Sequence, residues 1–293
     1  MFSAKKLALG CAQFGCDYGI TNTTGKVAFN VAKDCVDYAR QNGIDTIDTA
    51  ITYGDSEVRL GKIGVKAFKV VSKITVSQDL KKDLSGFAES LVVNSLETLG
   101  IDSLHGMLFH NFNEICDNQR YIFLNVLLKL QRQGLIKKVG VSLYDPWQIE
   151  KIFEYFTPEI VQIPLNILNR QFADEELLNF LKNKKVEIHV RSVFLQGLLL
   201  KSFRELPKEF SKWDYLWEFK DKLAFKNKCS FVDLCLSFVQ SFSQIDRIVV
   251  GVQNSSQLAE ICASKYIELR SEDLKKVKIN DSALVDPRQW KKQ

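Results

Sequence analysis

Short apolar runs alternate with amphipathic segments along the whole chain. The runs that read as strands are residues 7–12, 46–49, 69–74, 104–109, 138–142, 160–165, 187–193 and 247–252. Between them, apolar positions recur at steps of three and four, as in Leu84, Phe87, Leu91, Leu96 and Leu99, and this helix is predicted to stop at Gly100. Similar helical patterns cover 31–41, 122–133, 148–156, 175–183 and 231–242. Near-continuous apolar strands alternating with helices predict a parallel sheet covered by helices. Eight such units select a closed (β/α)8 TIM barrel. The doubly wound competitor would carry G-x-G-x-x-G after its first strand, and Gly10, Gly15 and Gly19 lack that spacing. The interval 198–229, after the seventh strand, is too long for a simple loop, and the segment after Tyr266 lies beyond the last helix. Both are expected to shape a pocket. No linker or short repeat divides the chain, so residues 1–293 are expected to form one domain.

Composition changes this picture little. Hydrophobic residues are 46% and charged residues 26% of 293, which excludes disorder, collagen and low-complexity readings. A net charge of +5, with basic residues gathered only near the end, gives no nucleic-acid footprint. Seven cysteines without a C-x-x-C read as reduced, mostly buried thiols. Three histidines without a ligand cluster give no metal site. No signal-peptide order and no membrane-length apolar stretch are present, so a cytoplasmic protein with a small-molecule partner is expected, its oligomeric state open.

In a (β/α)8 barrel the active site lies at the C-terminal ends of the strands. Asp48 ends the second strand, Tyr53 follows it, Lys73 lies near the end of the third, and His110 follows the fourth. Each has a plain structural alternative: a helix cap, a packed aromatic, a snorkelling lysine, a core histidine. Together they converge on one quadrant of one rim. A phenol is a weak acid at neutral pH, and a nearby ammonium, kept charged by a carboxylate, would strengthen it. Asp48 holding Lys73, and Lys73 lowering the pKa of Tyr53, therefore reads as a proton relay toward a carbonyl oxygen, with His110 giving a second hydrogen bond. A hydride source is still needed, and no side chain supplies one.

The stretch Ile47-Asp48-Thr49-Ala50-Ile51-Thr52-Tyr53-Gly54-Asp55-Ser56-Glu57, followed by Leu60-Gly61-Lys62, closely resembles the signature of the aldo/keto reductase family. The resemblance runs nearly end to end, from Leu7-Ala8-Leu9-Gly10 through Ser72-Lys73, His110-Asn111, Val139-Gly140-Val141-Ser142 and Gln196-Gly197-Leu198 to Gly251-Val252-Gln253. It implies reversible hydride transfer between NADP(H), the family's usual cofactor, or NAD(H), and an aldehyde or ketone, here with a sugar-derived carbonyl as the guess. By resemblance Tyr53 is the proton donor, Asp48 and Lys73 its tuning pair, and His110 orients the carbonyl. Ser142 and Gln162 would hold the nicotinamide amide. Gly10, Cys11, Ala12, Arg191, Ser192, Gly197, Gly251, Gln253 and Gln257 would line the cofactor site, and Phe14, Tyr18 and Phe112 the substrate pocket.

Three departures stand out. Leu143 replaces a frequent asparagine, Arg191 replaces the aromatic that stacks on the nicotinamide, and Gln253 and Gln257 stand where an arginine for the adenosine 2′-phosphate is usual. Arg191 is expected either to meet a cofactor or substrate oxygen or to pair with an acidic residue. Two other functions compete with a reductase: a nicotinamide-binding sensor with little turnover, and a Schiff-base enzyme using Lys73, which a neighbouring Asp48 opposes.

Overall fold

A computed structural model of the protein describes residues 4–75, 83–111 and 117–290, with the backbone alone at 117 and 118. In chain order the elements are β1 (Leu7–Gly10), α1 (Ala12–Gly15), α2 (Phe29–Gln41), β2 (Thr46–Asp48), α3 (Ser56–Ile63), β3 (Lys69–Ile74), α4 (Leu84–Leu99) and β4 (Gly106–Phe109). Then come α5 (Asp117–Arg132), β5 (Val139–Ser142), α6 (Trp147–Tyr155), β6 (Ile160–Pro164), α7 (Glu175–Asn183) and β7 (Glu187–Arg191). The chain ends with α8 (Asp214–Asn227), α9 (Phe231–Gln240), β8 (Arg247–Gly251), α10 (Ser255–Cys262), α11 (Ser271–Val277) and α12 (Ser282–Val285). Every strand pairs in parallel with the next in sequence and β8 pairs with β1, so the sheet closes as the expected eight-stranded barrel. The α4 helix stops where predicted: Gly100 takes a left-handed φ of 65° and its N–H reaches the carbonyls of Leu96 and Glu97.

Most strands are a residue or two shorter than their apolar runs. Val193 and Val252 are buried yet lie in rim loops, and Leu104 keeps only an isolated bridge to Ile136. Burial under neighbouring loops, not ladder pairing, accounts for their apolar character.

Alternation along the strands divides the core in two. Outward residues such as Ile47, Val70 and Ile188 pack with Leu60, Val92, Leu127 and Ile152 of the helical layer. Inside the barrel, Val71, Leu108 and Ile160 form a separate apolar plug. Val71 lies two residues before Lys73 on the same face, so the plug underlies the residues of the C-terminal rim. At the other end Glu187 is bound by His105, His189 and Lys138, while Arg247 donates to Thr46. Burial alone would raise the Glu187 carboxyl, but these partners hold it well below the usual carboxylate range. The 198–229 excursion and the C-terminal tail brace one another: Trp213 Nε1 donates to Asp281, and the Phe210 and Trp290 rings lie 5.0 Å apart. No helix among the described residues is long and apolar enough to cross a membrane.

The plug leaves no room for a larger residue at Gly140. A Cβ there would stand 2.2 Å from the Ile160 carbonyl oxygen and 2.7 Å from Leu108 Cδ2. Gly140→Ala should destabilise the protein by about 1–3 kcal/mol, the usual cost of overpacking. A urea-unfolding midpoint equal to that of the wild type would contradict this packing.

Candidate active site

Asp48 is the last residue of β2, and the chain beyond it stays tied to β3: Thr49 N–H donates to the Val71 carbonyl and Ile51 N–H to the Lys73 carbonyl. Ser56 Oγ donates to the Cys11 carbonyl, which fastens the far end of this loop to β1. Tyr53, between these ties, is therefore carried over the barrel mouth on a braced segment.

Below it lies a buried ion pair. Lys73 Nζ donates to Asp48 Oδ1 at 2.6 Å and to the Thr49 carbonyl at 2.9 Å, with side chains only 1% and 6% exposed. Gln162 Nε2, from β6, donates to Asp48 Oδ2 at 2.7 Å. The carboxylate is thus satisfied from both sides. The Lys73 ammonium sits 5.2 Å from the centroid of the Tyr53 ring, and the Tyr53 and His110 rings meet edge-on at 5.5 Å. His110 Nδ1 lies 3.2 Å from Thr52 Oγ1 and 3.4 Å from Thr75 Oγ1. When these hydroxyls donate to Nδ1, the ring proton resides on Nε2.

Electrostatics corrects one expectation. The Tyr53 phenol is raised, not lowered, first by burial and then by the Asp48 charge, against which Arg191 works. Lys73 approaches the ring, and its hydrogen bonds go to Asp48 and Thr49. His110 is pushed down to about 4 by burial and by the charges of Lys73 and Arg191, so its imidazole is neutral at pH 7. An ammonium bound to a carboxylate and a carbonyl is also not a free amine, which removes the basis for a Lys73 Schiff base.

Asp48 and Tyr53 border a cavity of about 350 Å³. Of the expected cofactor residues, Gly10, Cys11, Ala12, Gln162, Arg191, Ser192, Gly197, Gly251, Gln253 and Gln257 line it. Ser142 is buried, in register with Gln162, and is not part of the wall. Tyr18 lines the cavity. Phe14 does not: it is wholly buried as part of the main hydrophobic core, a correction to its reading as a pocket residue. Phe112 and Cys116 lie outside the described residues. Burial pushes the Cys11 thiol well up, so this cavity-wall cysteine is no nucleophile.

Two features escaped the sequence. The segment after α1 spans the cavity: Ile20 N–H donates to Gln196 Oε1, Thr21 Oγ1 to the Gln196 carbonyl, and Gln253 Nε2 to Asn22 Oδ1. Only its Asn22-Thr23-Thr24-Gly25 turn signal was readable. At the opposite side Arg191 stacks on Tyr144, 4.2 Å from the ring centroid, and donates to the Leu143 carbonyl and to Ser192 Oγ. Arg288, from the tail, stacks on the same ring at 3.6 Å while paired with Asp286. Among the described residues no carboxylate lies within ion-pair distance of Arg191.

Comparison with known proteins agrees with this geometry. The model of the aldo/keto reductase family matches residues 6–281. D-arabinose 1-dehydrogenase of Saccharomyces cerevisiae is 27% identical over 203 residues, 58% of this chain and 56% of that protein. The chloroplastic pyridoxal reductase of Arabidopsis thaliana is 28% identical over 171 residues, 53% of this chain and 44% of that protein. The chain thus spans about half the length of the curated relatives it matches. Among solved structures, the holo form of an aldo-keto reductase from Bacillus halodurans superimposes with a TM-score of 0.71 at 18% identity, covering 93% of this chain and 90% of that one. The glycerol dehydrogenase of Gluconobacter oxydans gives 0.72 at 21% identity, covering 96% and 92%. At these identities the likeness is one of fold.

The lowered His110 makes a pH prediction. Between pH 6.5 and about 4 the unfolded chain binds the His110 proton while the folded chain does not, so its contribution to stability falls as pH drops through that window. The stability advantage of the wild type over His110→Gln should therefore shrink between pH 8 and pH 5. A difference independent of pH would show that the imidazole titrates normally.

Proposed function

The chain belongs to the aldo/keto reductase family, and on that premise we propose that it interconverts a small aldehyde or ketone and the corresponding alcohol with NADP(H) or NAD(H), Tyr53 serving as the proton donor. The observation that carries this reading is the buried Asp48–Lys73 pair beneath the Tyr53 ring at the mouth of the cavity.

The dinucleotide, when bound, supplies the hydride. The donor set fits such a ligand. Gln162 spends its Nε2 on Asp48, which leaves Oε1 to accept an amide N–H beside Ser142. The loops after β7 and β8 present backbone and neutral amides, with Asn254 capping α10. Burial keeps the Tyr53 phenol protonated. Because an alkoxide is a stronger base than a phenolate, proton transfer from Tyr53 Oη to a developing alkoxide runs downhill, and the Lys73 ammonium stabilises the phenolate left behind. Neutral His110, with its proton on Nε2, donates to the carbonyl oxygen and orients it. The names of the two curated relatives support a small polar carbonyl, and a sugar-derived one in our reading.

Titration of the protein with NADPH and with NADH, followed through quenching of its four tryptophans, tests the cofactor half. Tight binding of one or both is expected, and no binding at millimolar concentration overturns the reading. Tyr53→Phe should bind cofactor normally and lose at least ~10²-fold in turnover, the lower range for general-acid catalysis. Near-normal turnover would remove Tyr53 as donor. Binding without turnover across an aldehyde panel would favour a nicotinamide sensor.

A further inference from the structure

We propose that the carbonyl compound handled at this site carries an anionic group, a phosphate or a carboxylate, and that Arg191 receives it. The inference rests on the reading of the cavity as a carbonyl site and adds the class of substrate.

Arg191 ends β7 on the face that Glu187 and His189 share inside the barrel, and it lines the same cavity as Tyr53, Asp48, Gln162 and Tyr18. Two other cations of this rim are neutralised. Lys73 belongs to Asp48. Arg288 belongs to Asp286, which accepts its Nε at 2.8 Å and its guanidinium NH2 at 2.6 Å. Arg191 has only uncharged acceptors, the Leu143 carbonyl at 3.1 Å and Ser192 Oγ at 3.3 Å. These use two of the five donors of a guanidinium; among the described residues no carboxylate lies within ion-pair distance of it, and Asp286, which feels its charge from farther off, is already paired with Arg288. A partly buried cation without a contacting counter-ion is costly unless a ligand supplies one.

The group is also held still, as a receptor must be. The Tyr144 ring stacks on the guanidinium, and the Leu143 carbonyl anchors its end. The backbone beyond it is fixed as well: Ser192 adopts a left-handed φ of 61°, and its carbonyl accepts Asn166 Nδ2 at 3.0 Å. Strain of this kind in a non-glycine residue is retained where the surroundings define a site. Arg191 acts electrostatically on Tyr53, Tyr18 and His110, which places its charge on the carbonyl side of the cavity. The remaining fork of N–H donors suits two oxygens of one anion.

The same anion chemistry could come from the phosphates of the dinucleotide, and the experiment separates the two. Steady-state kinetics would compare matched carbonyl pairs, succinic semialdehyde with butanal and glyceraldehyde 3-phosphate with glyceraldehyde, in the wild type, Arg191→Lys and Arg191→Met. Cofactor dissociation constants would be measured in parallel. Calorimetric titration of the cofactor-free protein with inorganic phosphate and with succinate adds a readout independent of turnover. The wild type should favour the anionic member of each pair by about tenfold or more in kcat/KM, the range of one charge-assisted hydrogen bond. That ratio should collapse toward one in Arg191→Met, through KM, and be partly kept in Arg191→Lys. Calorimetry should show an anion bound by the wild type and lost in Arg191→Met.

A preference that survives Arg191→Met, or no preference together with no anion binding, overturns the proposal. So does a weakening of the cofactor by tenfold or more in Arg191→Met without a change in the ratio, which would assign the arginine to the dinucleotide. Anion binding through Arg191 in a protein that reduces no carbonyl would support the anion site and overturn the carbonyl reading instead.

Discussion

A carboxylate and an ammonium taken out of water together are the constraint around which this barrel mouth is arranged. Removing one partner of such a pair leaves a buried, uncompensated charge, typically at a cost of about 3–5 kcal/mol. Asp48 and Lys73 avoid that by contact with each other, and Gln162 and the Thr49 carbonyl take up most of what remains. The result ties β2, β3 and β6 across the barrel at one point. Because the Thr49 carbonyl is part of the clamp, the loop that begins there has little freedom, and Tyr53 is delivered over Lys73 without any direct hydrogen bond between the two side chains.

The same pair explains how the phenol behaves. Two opposing influences act on Tyr53: positive charge, which favours phenolate, and burial beside Asp48, which opposes it. Burial wins, so the phenol is held protonated and not pre-ionised. The apolar plug of Val71, Leu108 and Ile160 sustains this by filling the barrel beneath the pair. The Glu187 ion-pair cluster closes the opposite end of the barrel.

Much of this was legible in the sequence, for a physical reason. A strand buried on both faces must be apolar throughout, so the eight runs could be read directly, and Lys69–Ile74 and Glu175–Asn183 match their predicted bounds. The rim residues Asp48, Tyr53, Lys73 and His110 followed from where those runs end. The excess length at other strands, as at Val193, came from loop residues that are buried without being paired. Phe14 was misread because an aromatic near a rim looks the same in sequence whether it turns into a pocket or into the core. The α3 helix escaped because it begins within the Tyr53 loop, and α8 because it carries apolar and charged residues on most of its faces. Long-range contacts were beyond reach: Asn22 meets Gln253 and Arg191 meets Tyr144 only because the loops fold toward one another. The acidity of Tyr53 was misjudged because sequence reveals neighbouring charges but not the depth of burial.

The central claim is hydride transfer at the Tyr53 face of the cavity, and the most direct test is isotopic. The protein would be incubated with nicotinamide dinucleotide deuterated at the transferring carbon and a panel of neutral, phosphorylated and carboxylated aldehydes, and the products analysed by mass spectrometry. The account predicts one deuterium, bound to the carbinol carbon, in the alcohol formed from at least one aldehyde. Bound cofactor with no deuterium in any product would contradict it.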